Sequence, residues 1–156
     1  YYNDLPSNIQ PWFLKEDDIL VSRSNTLELV GRVGRYVGQP SPCIFPDLMI
    51  RVRPDLTIVE PIYLEHYLRT AFVKRFFQRR ARGTSGSMPK ISNRDIMQVE
   101  VRIPPAQLQT RFVEAVRTFE DMRTYQIQST REINELFHSL MQKAFRENLW
   151  PEKRQN

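Results

Sequence analysis

The chain has 156 residues, with 23 Lys and Arg against 18 Asp and Glu for a formal charge of +5, and 40% of it is apolar. That length suits one domain, or one domain plus an appended element, with a real hydrophobic core. The single cysteine, Cys43, excludes an internal disulfide framework, and no apolar run approaches the roughly 20 residues of a membrane span. No basic-then-apolar leader starts at Tyr1, and the missing initiator Met reads as a piece or a trimmed chain. The working class is a soluble intracellular protein with a basic surplus.

Residues 17–25 (DDILVSRSN) read as a short strand with Ile19 and Val21 on one face and Leu20 on the other. Residues 30–38 alternate loosely between glycines and read as a second strand. Three prolines in residues 39–46 require a loop. Residues 47–54 alternate well, with Leu48, Ile50 and Val52 on one face and Met49, Arg51 and Arg53 on the other. Pro54 ends that strand because proline cannot donate to a ladder.

At Pro61 the period changes. Leu64, Leu68, Phe72 and Phe76, with Tyr67 and Val73 alongside, predict one helix from Pro61 to about Arg80, since Pro61 suits a first turn. A Gly/Ser loop with basic ends follows at 82–90. Ser92 to Met97 fits one helical turn, capped by Ser92 with Asp95 three residues on. Residues 99–103 (VEVRI) alternate as a strand that Pro104 and Pro105 stop.

Beyond Pro105 there is no Gly or Pro until Pro151, which predicts one long helix over 105–150. Counting from Leu108, the residues seven apart (Ala115, Met122, Ser129 and Leu136) interleave with a second set four on (Phe112, Phe119, Gln126, Ile133 and Leu140), which is the 3–4 spacing of the two seam positions of a heptad. The apolar members (Leu108, Phe112, Ala115, Phe119, Met122, Ile133, Leu136, Leu140) form a coiled-coil seam. Val116, Ile127, Phe137, Met141 and Phe145 widen it, so the helix needs a partner helix. Folding back on its own domain fails on length, because a domain of ~105 residues is only about 30–35 Å across. The expected organisation is a domain over 1–104, the helix over 105–150 and a tail over 151–156.

The charge is unevenly placed. Residues 1–60 carry a net −2, residues 61–103 a net +6, and residues 104–156 a net +1, with no carboxylate between Arg69 and Lys90. A solvated helix face would account for some of this, but a block of like charge usually answers a counter-charge from outside.

Catalytic chemistry finds little support. His66 and His138 lie far apart with one cysteine, which is no metal-ligand set. Ser87 to Lys90 matches S-x-x-K without its companion elements. The 83–87 loop lacks a Walker lysine, and Asp17 with Asp18 reads as a solvated turn. What remains is binding. Glycines let backbone N–H groups approach phosphates, hydroxyls add short hydrogen bonds, and guanidinium forks fit phosphate or the guanine edge. This favours nucleic acid. Arg79, Arg80, Arg82 and Lys90 are the phosphate candidates, and Thr84, Ser85 and Ser87 the loop hydrogen-bonders. Arg23, Ser24, Asn25, Arg51 and Arg53 are weaker candidates, since a strand arginine can simply be solvated.

The order of segments 18–25 (DILVSRSN), 31–34 (GRVG), 82–92 (RGTSGSMPKIS) and 99–105 (VEVRIPP), running into a long helix, resembles the specificity subunit of type I restriction–modification systems. Pro104, Pro105, Gln109 and Val113 stand where that family's pattern expects them, while Leu108 replaces a usual acidic residue. The resemblance covers about Asp17 to Trp150. It implies an α+β fold, with a small twisted sheet and packed helix forming the back part of a target recognition domain, then a spacer helix. It also implies a non-catalytic, cytoplasmic, prokaryotic reader of one half of a split double-stranded DNA target. Methyltransferase and endonuclease subunits would be its partners and would hold S-adenosylmethionine, ATP and Mg; this chain would hold no cofactor. A second spacer helix, in the same chain or in a homodimer, would pair with the seam. The rival reading is a coiled-coil scaffold whose basic helix binds an acidic partner. An RNA-binding module is weakened by the lack of an exposed aromatic platform.

Overall fold

A computed structural model describes residues 11–83 and 88–146. Three short strands, β1 (Ile19–Ser22), β2 (Val33–Arg35) and β3 (Met49–Val52), form an antiparallel sheet in the order β2-β1-β3. The central strand is the most apolar, and its alternation works as the sequence requires. Ile19 and Val21 are fully buried while Leu20 is half-exposed on the other face. The architecture is α+β, with helices α1 (Pro61–Leu68), α2 (Ala71–Arg80), the short α3 (Asn93–Met97) and the long α4 (Ala106–Arg146).

Two expectations are corrected. The single helix predicted over 61–80 is two helices, because Thr70 takes an N-cap conformation. Its hydroxyl donates to the Tyr67 carbonyl at 2.8 Å and accepts from the Val73 N–H at 3.4 Å. A side chain that satisfies an orphan N–H at a helix start stabilises a break there. The break also resets the helical phase. Phe72, expected on the core stripe, is 69% exposed, while Val73, expected alongside it, and Phe77, outside the expected stripe, are fully buried. Phe77 packs against the backbone of Gly31, whose positive φ of 74° turns β1 toward β2. A methyl added there would stand 2.6 Å from the Phe77 ring.

The second correction concerns residues 99–103, which join no ladder. Val99 and Val101 still pack on the core, so the alternation records one-sided burial rather than strand pairing. Side-chain hydroxyls replace the missing ladder: Tyr67 donates to the Glu100 carbonyl at 3.0 Å and Tyr63 to the Arg102 carbonyl at 2.6 Å.

The chain divides into two units, Tyr1–Val113 and Glu114–Asn156. The first turns of α4 belong to the first unit and bury Gln109 and Val113. The Gln109 amide is fully used: its oxygen accepts from the Glu60 N–H at 2.8 Å, and its nitrogen donates to the Ile58 and Pro104 carbonyls at 3.2 and 2.9 Å. Phe112 lies edge-on to both Tyr63 and His66 at 5.6 Å. In the second unit α4 leaves Phe119, Met122, Ile133, Leu136 and Leu140 more than half exposed. The whole helix has 41 residues and is roughly 60 Å long.

Candidate nucleic-acid interface

Five cations converge on one open groove of about 870 Å³: Arg23, Arg80, Arg82, Lys90 and Arg94. Each is placed by backbone pairing or a cap. Arg23 follows β1; its N–H donates to the Leu48 carbonyl at 2.8 Å, and its carbonyl accepts from the Ile91 N–H at 2.9 Å. Arg82 and Lys90 exchange two backbone hydrogen bonds of 2.9 Å, and Lys90 also bridges to Ser24. That pairing closes the base of the Gly/Ser loop, although 82–90 are far enough apart in sequence to have stayed separate.

The far wall is set by the N-terminus of α3. The capping box predicted at Ser92 forms in full: the Ser92 hydroxyl and N–H both donate to Asp95 Oδ2, at 2.6 and 2.8 Å, and Ser92 Oγ accepts from the Asp95 N–H at 3.3 Å. This places Asn93 and Arg94 on the groove lining. The hydrogen bond from the Ser92 side chain, then that from its backbone, hold the Asp95 carboxyl below its ordinary value, with help from the Arg80 and Arg82 charges. Partial burial opposes the shift. Asp95 therefore stays ionised and offsets one of the five cations.

The predicted cations do not all gather here. Arg80 lines the groove but is engaged by its own domain, donating to the Gln98 amide oxygen, lying 3.8 Å from Asp95 and stacking 4.7 Å from the Phe76 ring centroid. Arg79 lies outside the groove, in a smaller surface depression with Phe72, Arg75 and Phe76. Arg51 donates to the Pro11 and Phe13 carbonyls at 2.9 and 3.1 Å and stacks over Phe45. Arg53 makes a two-pronged ion pair, Nε and Nη2 each 2.7 Å from an Asp18 oxygen. Ser24 is buried, and its hydroxyl has no partner among the described residues. Asn25 accepts the Thr26 N–H on its own side-chain oxygen. Thr84, Ser85 and Ser87 lie outside the described residues.

The acidic pair expected as a solvated turn is structural instead. Asp18 is 1% exposed and Asp17 pairs with Arg35 at 2.7 Å. Burial pushes the Asp18 carboxyl up, but the Arg53 fork, the Lys15 N–H and the Arg53 and Arg51 charges more than offset it and hold it low. Sequence reasoning did not select Asn93 and Arg94, although the Ser92 cap it recognised marks them as the first helical turn. Among the described residues no group of three His, Cys, Asp or Glu stands together to hold a metal, and no helix is long and apolar enough to cross a membrane.

An α+β domain that turns a cluster of cations toward one groove, and continues into a long helix with an exposed apolar stripe, has the build of a binding module. No family model matches the chain. It is 30% identical over 142 residues to the type I restriction enzyme EcoKI specificity subunit of Escherichia coli K12, covering 87% of this chain and 30% of that relative. It is also 24% identical over 136 residues to the putative type I restriction enzyme MjaX specificity subunit of Methanocaldococcus jannaschii, covering 87% of this chain and 32% of that relative. The resemblance read from the sequence holds: the chain is similar to a segment of type I restriction specificity subunits and spans about a third of their length.

Proposed function

We propose that this chain is a DNA-reading segment of a type I restriction specificity subunit, carrying no reaction of its own. The observation that supports this best is the convergence of Arg23, Arg82, Lys90 and Arg94 on one groove, with no ion pair to any carboxylate of the described residues. Four or five cations facing one surface fit the phosphate rails of a duplex, where contacts from Arg and Lys fix position and orientation. Arg82 and Lys90 serve as the principal phosphate contacts, Arg80 and Arg79 as outlying ones. Thr84, Ser85 and Ser87 add loop hydrogen bonds and Asn25 is secondary, whereas Ser24 is buried and Arg51 and Arg53 are engaged within their own domain.

On the same reading, α4 is the spacer. Its seam, from Leu108 and Phe112 through Ala115, Phe119 and Met122 to Ile133, Leu136 and Leu140, pairs with a second helix of the same protein or of another copy. Exposed side chains at coiled-coil spacing support that pairing. Methyltransferase and endonuclease subunits, with their own cofactors, are the proposed partners. The DNA assignment is tested by titrating duplex DNA with the chain at salt concentrations from about 50 to 200 mM. With four to five phosphates neutralised, log K falls against log salt with a slope of about −3.6 to −4.5. A salt-independent affinity, or no duplex binding, overturns the proposal in favour of the scaffold reading.

A further inference from the structure

A second groove lies beside the cationic one. It is lined by Trp12, Phe45, Met49 and Arg51, with a volume of about 350 Å³. Two residues border both grooves, Arg23 and Asn93. We infer that this Arg23–Asn93 ridge reads base edges, while Arg82, Lys90 and Arg94 hold phosphate. The inference rests on the DNA-reading proposal above and assigns the sequence-reading part of the site.

Three observations carry it. First, the chemistry suits base edges: a guanidinium pairs bidentately with guanine O6 and N7, and an asparagine amide with adenine N6 and N7. Second, both residues stand on fixed backbone. Arg23 is hydrogen-bonded to Leu48 on one side and Ile91 on the other, and Asn93 opens a helix locked by the Ser92–Asp95 box. Readout needs that rigidity, because a displaced donor loses its geometry. Third, the other strand arginines are excluded. Arg53 is held by Asp18, and Arg51 by two carbonyls and the Phe45 ring. The side chains of Arg23 and Asn93 make no hydrogen bond to the described residues, so neither has a partner there to give up.

The test is selection of bound duplexes from a randomised pool by the full 156-residue chain and its Arg23→Lys and Asn93→Ala variants. Arg23→Lys keeps the charge but loses the planar fork. Each variant is expected to keep its affinity for mixed-sequence duplex within about threefold. Each is also expected to lose preference at one or two positions of the selected motif by roughly 5- to 150-fold. Lys90→Ala is expected to weaken all sequences alike and leave the motif intact. Unchanged motifs in both variants overturn the ridge assignment while leaving DNA binding in place. A parent chain that binds duplex without enriching any motif overturns it as well. A parent chain that binds no duplex overturns the DNA reading itself.

Discussion

Around the sheet, Arg35, Arg51 and Arg53 are each bonded through their side chains to atoms of their own domain, whereas around the groove the side chains of Arg23, Arg82 and Arg94 make no hydrogen bond or ion pair to the described residues. The two sets share a side chain and a domain, yet they do opposite work. A guanidinium matched to a buried carboxylate holds the fold, and removing its partner leaves a desolvated charge. A guanidinium left facing water adds little to stability, but it can displace counterions from a phosphate at small cost. The lesson is that arginine content locates a binding face only after internal partners have been subtracted.

The largest effect expected comes from reversing the groove. Arg82→Glu with Lys90→Glu should weaken duplex affinity by at least about 100-fold near 0.1 M salt. Both side chains are exposed, so urea unfolding should stay within about 0.5 kcal/mol of the parent. Loss of folding instead would erase the distinction between the two sets.

Asp18 breaks the other side of the comparison. Asp18→Ala removes the buried partner of Arg53 and is expected to cost about 2–4 kcal/mol, toward the lower end because Arg53 is 43% exposed and can rehydrate. Its pH signature follows from the sign of the shift. The folded carboxyl is held below the usual 3.8, so the ion pair stabilises fully above that value and its contribution disappears as pH falls through the folded value. Acid unfolding of Asp18→Asn should therefore lose less stability below pH ~4 than the parent does.

The smallest effect sharpens the contrast. Arg53→Lys keeps the charge but loses one prong at Asp18, and should cost about 1 kcal/mol in urea unfolding. Arg82→Lys, at a proposed phosphate contact where a point charge suffices, should change neither stability nor duplex affinity by more than about twofold to threefold.

Features decided by neighbours in sequence were the legible ones. The Ser92–Asp95 box, the buried face of β1 and the long α4 all follow from local spacing, and each is present. What escaped depended on distant partners or on one competing cap. Thr70 reads as an unremarkable helical residue until its hydroxyl is seen capping α2, and that single choice put Phe77 in the core beside Val73 and left Phe72 outside. Residues 99–103 carry a strand pattern, but a ladder needs an edge to pair with, and two tyrosine hydroxyls took that place. Arg53 looked free because Asp18 is 35 residues away, and only the pairing of Ile19 with Val52 brings the two together. The same logic hid the work of Gln109, a position marked by the resemblance, whose amide reaches three backbone groups that no sequence window contains together.

The paired hydrogen bonds between Arg82 and Lys90 have an evolutionary consequence. They tie Arg82 and Lys90, the two ends of the Gly/Ser segment, to each other whatever the sequence between them. Doubling the length of such a loop adds only about 0.6 kcal/mol of closure entropy. Its length and composition can therefore drift from one descendant to the next while β1, α2 and α3 keep their places.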